Sequence, residues 1–192
     1  MNKLHIFDVD GTLVYSPLRS TVLNVKGLGQ GTVQHLYDKW LDQNKKPKRK
    51  WSGWFGRKET LLHPIFPRPL REDMLNREVA DEFLASKEDP SVITWIMTGR
   101  HMGIRQEVID ILMGYDLITK EDLSSKKVET YFATRTPTLD WKRDTIHDAV
   151  TQRGITSVEM WEDRAEHVKA FNEFGQEKLS HFDCSMLVHE VK

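Results

Sequence analysis

Short apolar segments rich in β-branched residues alternate with segments of helical periodicity along most of this 192-residue chain. The strand-like segments are residues 4–9, 91–97, 128–132, 157–161 and 184–188. The helical patterns lie at residues 72–85, 104–113, 141–150 and 165–174. Strands that alternate with helices favour a parallel sheet that is covered on both faces. The sequence therefore predicts an α/β fold of three layers, with a Rossmann-like parallel sheet between two layers of helices.

Residues 15–69 interrupt this alternation between the first and second predicted strands. They include Gly27, Gly29 and Gly31, which we interpret as a flexible loop, and a proline-rich end that disfavours regular structure. Because this insertion begins beside the end of the first strand, we expect it to form a cap or flap that faces a substrate. Residues 1–192 are expected to form one domain that carries the insertion.

The composition excludes several classes of protein. The single cysteine, Cys184, rules out a disulfide framework and indicates a reducing compartment. A net charge of −1, with 39% hydrophobic and 30% charged residues, is typical of a globular protein that does not bind nucleic acid through bulk charge. No apolar run approaches the roughly 20 residues that span a membrane, and no signal peptide is recognisable. We therefore expect a cytoplasmic protein with no membrane partner.

Two aspartates, Asp8 and Asp10, follow the first predicted strand and lead into a Gly-Thr turn. Side chains alternate along a strand, so the turn at Gly11 leaves both carboxylates at its carboxyl end. Carboxylates this close repel each other unless a cation lies between them, and a hard divalent ion such as Mg2+ prefers oxygen ligands. The pair therefore predicts a site for metal-assisted phosphoryl transfer.

A second polar segment, Thr98, Gly99 and Arg100, follows the second predicted strand. We expect it to turn into a helix and to offer a hydroxyl and backbone N–H groups to an anionic oxygen. Lys142 opens a later predicted helix, where its charge suits a phosphate group. The alternatives for that lysine are Lys126, Lys127 and Arg143.

A third polar segment follows the predicted strand at residues 157–161 and consists of Glu162, Asp163 and Arg164. Asp163 is the preferred metal ligand of the two acids, and Arg164 is a candidate for contact with a substrate. His167 lies one helical turn further on and is expected to support the site. Ligands of open α/β sheets bind beyond the carboxyl ends of the strands, so we expect all these segments to meet there.

The aspartate pair, Thr98, Lys142 and Asp163, in this order, resemble the signature motifs of the haloacid dehalogenase-like phosphohydrolase superfamily. The resemblance implies that Asp8 attacks phosphorus and forms a phosphoaspartyl intermediate. Asp10 would protonate the leaving oxygen and then activate water, while Thr98 and Lys142 would hold the phosphoryl oxygens. Mg2+ would bind Asp8, the backbone carbonyl of Asp10, and Asp163.

Two finer resemblances narrow the expected substrate. The Thr-Gly-Arg segment ending at Arg100, with Lys142 and the Glu-Asp-Arg segment ending at Arg164, resembles the phosphatase domain of polynucleotide kinase-phosphatases. Residues 161–167 and the tryptophan-rich insertion resemble the phosphatase-like domain of fungal Swiss Army knife RNA-repair proteins. These resemblances imply removal of a terminal 3′-phosphate from a polynucleotide. The chain has no kinase P-loop, so a kinase or ligase activity would reside on a separate partner.

A basic, aromatic stretch in the insertion adds a further hypothesis. Residues 43–58 contain seven lysines and arginines, no acid, and three aromatic side chains at Trp51, Trp54 and Phe55. Such a stretch suits single-stranded nucleic acid, although it equally fits a lid or a solvated loop whose tryptophans pack on the core. Two alternative functions therefore stay open: a phosphatase for free nucleotides or other small phosphometabolites, and a non-catalytic nucleic-acid-binding module.

Overall fold

The computed structural model of the chain describes residues 2–45, 56–63, 65–134 and 137–192. Every strand predicted from the sequence is present in these ranges, and the insertion contributes two more. The strands are β1 (Asn2–Phe7), β2 (Val22–Val25), β3 (Gly29–Thr32), β4 (Val92–His101), β5 (Val128–Ala133), β6 (Ile155–Glu162) and β7 (Ser185–Glu190).

The four predicted helical patterns are present with one interruption, and two helices, the first and the fourth, were not predicted. They are α1 (Val33–Gln43), α2 (Arg77–Glu88), α3 (Arg105–Gly114), α4 (Lys120–Ser124), α5 (Thr138–Arg153) and α6 (Ala165–Glu177). The pattern at residues 72–85 is divided, because a short 3-10 turn at Glu72–Met74 precedes α2 and Asn76 caps that helix by accepting a hydrogen bond from Val79 N. Within the ranges given above, no helix is both long enough and apolar enough to cross a membrane.

The main sheet has the strand order β5-β4-β1-β6-β7, and each neighbouring pair is parallel. The first strand of the chain therefore lies at the centre, and every connection crosses over through a helix. This arrangement confirms the predicted α/β class with a parallel sheet between layers of helices. It also brings the carboxyl ends of β1, β4 and β6 side by side.

Alternation along β1 places apolar side chains on both faces of the strand. Leu4 and Ile6 pack into a cluster with the apolar side chains of α5 and α6, whereas Phe7 packs into a second cluster with those of α2 and α3. Both faces of the strand are therefore buried. The core holds β1 rigidly up to the residue that precedes Asp8.

The insertion is more regular than its glycines suggested. β2 and β3 form an antiparallel hairpin, and Gly27 and Gly29 adopt positive φ angles of 84° and 86° at its turn. The prediction of a flexible loop at these glycines is therefore wrong, because they supply the left-handed backbone that the hairpin needs. The hairpin and α1 share a small cluster formed by Val25, Leu28, Val33, Leu36, Tyr37, Leu41 and Ile65.

The rest of the insertion joins the core of the sheet. A 3-10 helix at Lys58–Leu61 carries Leu61 into the cluster below α2 and α3, and Phe66 enters the same cluster. Most of the basic, aromatic stretch, residues 46–55, lies outside the described residues, so the hypotheses attached to it stay predictions.

A buried ion pair joins α2 to α4 and makes stability depend on pH. Asp122 accepts hydrogen bonds from Thr119 N at 2.8 Å and Lys87 Nζ at 3.3 Å. Burial opposes its charge, but the bonds to Thr119 and Lys87 outweigh burial and lower the pKa of Asp122. A lowered pKa contributes stability above the ordinary aspartate pKa and loses it as the pH falls through the folded value.

We therefore expect Asp122→Asn to lower the free energy of unfolding at pH 7 by about 1–3 kcal/mol. The deficit should shrink as the pH falls below about 4, because protonated Asp122 then loses the same charge. Urea unfolding at several pH values measures this. Glu121→Gln, on the exposed side of α4, is the control. A deficit that does not depend on pH would contradict the assignment.

Candidate active site

The residues singled out from the sequence lie at the carboxyl ends of the three central strands. Asp8 follows β1, Arg100 lies near the end of β4, and Glu162 ends β6. Beyond these strand ends lies a cavity of about 940 Å3, which Asp8, Asp10, Gly99, Arg100, Asp163 and Arg164 line together with residues of the insertion. Glu162 is completely buried and does not line it. Thr98 and Lys142 are fully buried behind its wall.

Three acids form a compact cluster at the base of the cavity. Oxygen atoms of Asp8, Glu162 and Asp163 lie within 4.8 Å of one another. The backbone of Gly11 turns closely over Asp163, with a φ of 81°, and a Cβ at Gly11 would lie 2.1 Å from Asp163 Oδ2. Glycine is therefore required here both for the left-handed backbone and for space beside the carboxylate.

Burial changes the protonation of this cluster. It raises the pKa of Asp8 to about 7, although the charge of Lys142 opposes the shift. It also raises the pKa of Asp163 to about 6, and the neighbouring charge of Glu162 reinforces the effect. For Glu162 burial is outweighed by hydrogen bonds from His167 and Lys142, which lower its pKa. Asp8 and Asp163 therefore hold a negative charge less readily than an exposed aspartate does, although Lys142 lies beside Asp8.

Lys142 is the central cation of the cluster. Its Nζ donates to Glu162 Oε2 at 2.8 Å and lies 3.2 Å from Asp8 Oδ1. Burial works against its charge, but Asp8 and Glu162 outweigh burial and raise the pKa of Lys142. Lys142 lies in the second turn of α5, which begins at Thr138, so the prediction that it opens the helix is wrong.

Glu162 carries more contacts than the sequence indicated. Besides Lys142, it is contacted by Arg164 Nε at 3.2 Å and by His167 Nδ1 at 3.4 Å. Because a carboxylate only accepts hydrogen bonds, His167 Nδ1 is the donor. His167 therefore supports the site through Glu162, while Arg164 lies between Glu162 and the cavity.

A bulge in β4 directs the Thr-Gly-Arg segment. Thr98 pairs with Phe132 and His101 pairs with Ala133, so Gly99 and Arg100 are additional residues on β4. The expected turn into a helix is therefore wrong, since the strand continues to His101 and α3 begins only at Arg105. The Thr98 hydroxyl accepts a hydrogen bond from Arg100 N at 3.2 Å inside the bulge. A bulge of this kind re-aims a side chain, here that of Arg100.

Arg100 binds Asp10 through two hydrogen bonds. Its Nε donates to Asp10 Oδ2 and its Nη2 donates to Asp10 Oδ1, each at 2.7 Å. Its Nη1 donates to Thr60 Oγ1 at 3.0 Å, and the Thr60 hydroxyl donates to Arg57 O at 2.6 Å. The Arg100 side chain is completely buried. A chain of hydrogen bonds therefore connects Asp10 to the insertion.

The acid cluster fits a divalent cation. Among the described residues, the buried Asp163 Oδ1 accepts no hydrogen bond. The buried Asp8 Oδ1 accepts none either, and its contact with Lys142 Nζ at 3.2 Å is an ion pair that Lys142 shares with Glu162. A buried carboxylate oxygen without a hydrogen bond is unfavourable, and oxygen ligands suit Mg2+. The carbonyl of Val9 accepts a hydrogen bond from Val14 N at 2.9 Å, which favours the next carbonyl, that of Asp10, as the backbone ligand. The side chain of Asp10 is directed to Arg100 and not to the acid cluster.

Sequence reasoning missed Thr60 and did not foresee the role of Glu162. Glu162 was named with Asp163 but ranked below it as a metal ligand, and the structure shows that it also binds Lys142, Arg164 and His167. Thr60 offered no signal, because only the fold brings the insertion to Arg100. Of the alternatives to Lys142, Lys127 pairs with Glu88 at the surface and Arg143 donates to a carbonyl of α6.

Comparison with known proteins agrees with this geometry. The chain matches the family model described as HAD domain family 1 in Swiss Army Knife RNA repair proteins over residues 35–191. The structure is similar to that of the HAD domain of effector protein Lem4 from Legionella pneumophila, with 11% identity and a TM-score of 0.51, covering 100% of this chain and 86% of that one. An inactive mutant of the same domain gives 10% identity with the same coverage and TM-score.

At such identities the structural likeness concerns the fold alone. No curated protein matches the chain. The family match and the shared fold nevertheless confirm the resemblance that the motifs predicted.

Binding of Mg2+ to the acid cluster should appear as increased thermal stability. At a hundred times the Kd, a ligand of the folded state contributes about 2.7 kcal/mol, or roughly 5 °C or more in Tm for a chain of this length. Asp163→Asn should abolish the Mg2+-dependent rise, which differential scanning calorimetry measures. Asp81→Asn, on the exposed side of α2, should keep it. An equal rise in both variants would argue against this cluster as the metal site.

Loss of the Thr60 hydroxyl should destabilise the protein. Thr60→Val leaves Arg100 Nη1 without this acceptor and Arg57 O without this donor, at an expected cost of about 1–3 kcal/mol in the free energy of unfolding. Thr60→Ser keeps the hydroxyl and should recover most of the loss. Chemical denaturation of both variants measures the difference, and equal stabilities would show that the hydroxyl contributes little.

Proposed function

The chain belongs to the HAD domain family 1 of Swiss Army Knife RNA repair proteins, and we propose that it is a Mg2+-dependent phosphomonoesterase that removes a terminal 3′-phosphate from a polynucleotide. A phosphatase-type activity follows from the family. The observation that carries the finer proposal is the buried contact of Asp8 with Lys142, beside Asp163, at the base of an open cavity.

Asp8 is the proposed nucleophile. Its carboxylate oxygen forms a bond to phosphorus while the bond from phosphorus to the leaving oxygen breaks, which gives an acyl phosphate on Asp8. Asp10 gives a proton to the leaving oxygen in this step. It then takes a proton from the water that attacks the acyl phosphate, which restores Asp8 and releases inorganic phosphate.

Asp10 must change partners during this cycle. Both of its carboxylate oxygens accept from Arg100, so one of these hydrogen bonds has to open before Asp10 can reach the leaving oxygen. A phosphoryl group that approaches Arg100 competes for the same guanidinium, since arginine binds phosphate and carboxylate in the same bidentate way. Arg100 is thus a substrate-binding residue in this proposal as well as a partner of Asp10.

The remaining polar groups bind the phosphoryl oxygens. Lys142 orients Asp8 and meets a phosphoryl oxygen once the group lies against Asp8, while Thr98 and Gly99 offer a hydroxyl and a backbone N–H from the bulge. Arg164 lies at the cavity wall with its side chain partly exposed. Asp8, Asp163 and the carbonyl of Asp10 would hold Mg2+, which would supply positive charge that neutralises the phosphate and favours ionised Asp8.

The polynucleotide part of the proposal has two supports. Relatives in the family are described as RNA repair proteins, and the insertion beside the cavity carries the basic, aromatic stretch of residues 43–58. A separate kinase or ligase would complete an end-repair pathway. Cys184 is a buried free thiol, in keeping with the reducing cytoplasm.

The decisive measurement is phosphate release, with Mg2+ and with EDTA, from a 3′-phosphorylated RNA oligonucleotide, a 3′-mononucleotide and a generic phosphate ester. We expect Mg2+-dependent release that favours the oligonucleotide. Asp8→Asn should lower kcat by at least about a thousandfold, because it removes the attacking carboxylate. Asp81→Asn is the matched control on the exposed side of α2.

The other outcomes separate the alternatives. Equal or faster release from the small substrates would identify a phosphatase for nucleotides or small phosphometabolites. Binding of the oligonucleotide without release from any substrate would identify a non-catalytic binding module.

A further inference from the structure

An apolar wall borders the catalytic cavity and has no role in the proposed chemistry. Among the described residues, the exposed large hydrophobic side chains are Tyr15, Leu18, Val22, Met102, Phe182 and Leu187. Three of these six, Tyr15, Leu18 and Val22, line the same cavity as Asp8 and Asp10. They are 40%, 53% and 59% exposed. Apolar side chains exposed together at one cavity indicate a binding surface, whereas single scattered ones do not.

Local structure fixes the backbone of this wall. Tyr15 N donates to Met74 O at 2.8 Å, and Leu18 N donates to the Thr21 hydroxyl at 3.0 Å. Val22 is paired with Thr32 in the hairpin. The three side chains are therefore presented by ordered backbone, and their exposure is a property of the fold.

The dimensions of the cavity indicate what the wall receives. A volume of about 940 Å3 far exceeds that of a phosphate group and lies within the range of pockets that enclose ligands the size of a nucleotide. The aspartates, Arg100 and the three residues of the wall line one and the same cavity, and the wall belongs to the insertion. A phosphate bound at Asp8 would fill only a small part of this volume and would leave space for the group that carries it.

We propose that the wall formed by Tyr15, Leu18 and Val22 receives the base of the 3′-terminal nucleotide. This inference rests on the proposed function, because it names the part of that substrate which fills the cavity beyond the phosphate. A base offers a flat apolar face, and stacking on aromatic and apolar side chains suits it. The wall has one polar side-chain atom, Tyr15 Oη, so the contact should accept all four bases.

The test compares 3′-phosphorylated RNA oligonucleotides that end in each of the four bases with one that ends in an abasic nucleotide. We expect kcat/KM to be about 5- to 100-fold higher with a terminal base, and similar among the four. Tyr15→Ala and Leu18→Ala should lower kcat/KM for the substrates with a base and leave that for the abasic one nearly unchanged. Leu187→Ala is the matched control, since Leu187 is also 53% exposed but lies on β7 outside the cavity lining.

A binding measurement separates an effect on substrate affinity from an effect on the rate of turnover. Asp8→Asn should bind the oligonucleotide with a terminal base more tightly than the abasic one in fluorescence anisotropy, and Tyr15→Ala in that background should remove the difference. Tyr15→Ala, Leu18→Ala and Leu187→Ala change exposed side chains, whereas Asp8→Asn changes a buried one, and circular dichroism verifies that each variant is folded.

Three outcomes would overturn the inference. Equal kcat/KM for base and abasic ends, insensitive to Tyr15→Ala and Leu18→Ala, would refute the base contact while the phosphatase proposal stands. Faster turnover of a peptide with a phosphorylated aromatic side chain, with sensitivity to the same variants, would assign the wall to that ring. No release from any oligonucleotide would refute the proposed function and this inference together.

Discussion

The buried contact of Lys142 with Asp8 and Glu162 is the interaction on which the arrangement of the site depends. Lys142 and Glu162 are wholly enclosed and Asp8 nearly so, which means that each charge lacks water and relies on the others. Removal of one member of such a buried set leaves the rest uncompensated, at a cost of about 3–5 kcal/mol. The three residues come from α5, β1 and β6, so one set of charges fixes three elements relative to one another.

The cluster formed by Asp8, Glu162 and Asp163 keeps an excess of negative charge. Lys142 is shared between two carboxylates, and Arg164 and His167 are directed to Glu162. Among the described residues, Asp163 Oδ1 accepts no hydrogen bond, and Asp8 Oδ1 pairs with a lysine that Glu162 also uses, which is the condition that a bound cation relieves. A fully neutralised cluster would be more stable and would have no use for a metal. The loss of stability is confined to the acid cluster, and the packing of the parallel sheet around it compensates for that loss.

Much of the fold was predictable because burial on both faces leaves a strong pattern in the sequence. The strands β1, β4 and β6 are rich in apolar residues, and polar residues mark their carboxyl ends. The bulge at Gly99 and Arg100 was not predictable, because strand register depends on the partner β5 and leaves no signal in β4 alone. The hairpin of the insertion was missed for a related reason, since glycine is equally common in loops and at the positive φ angles of tight turns.

The position of β1 has a consequence for how the chain folds. This strand precedes the other strands of the sheet in sequence, yet it lies at the centre of the sheet between β4 and β6, and Arg100 meets Asp10 across a separation of 90 residues. Contacts of such high sequence separation close slowly, because the intervening chain must be ordered before they form. Asp8 and Asp10 therefore stay hydrated on a nascent chain until α5 and β6 arrive. The catalytic end of the sheet is complete only when almost the whole chain has folded.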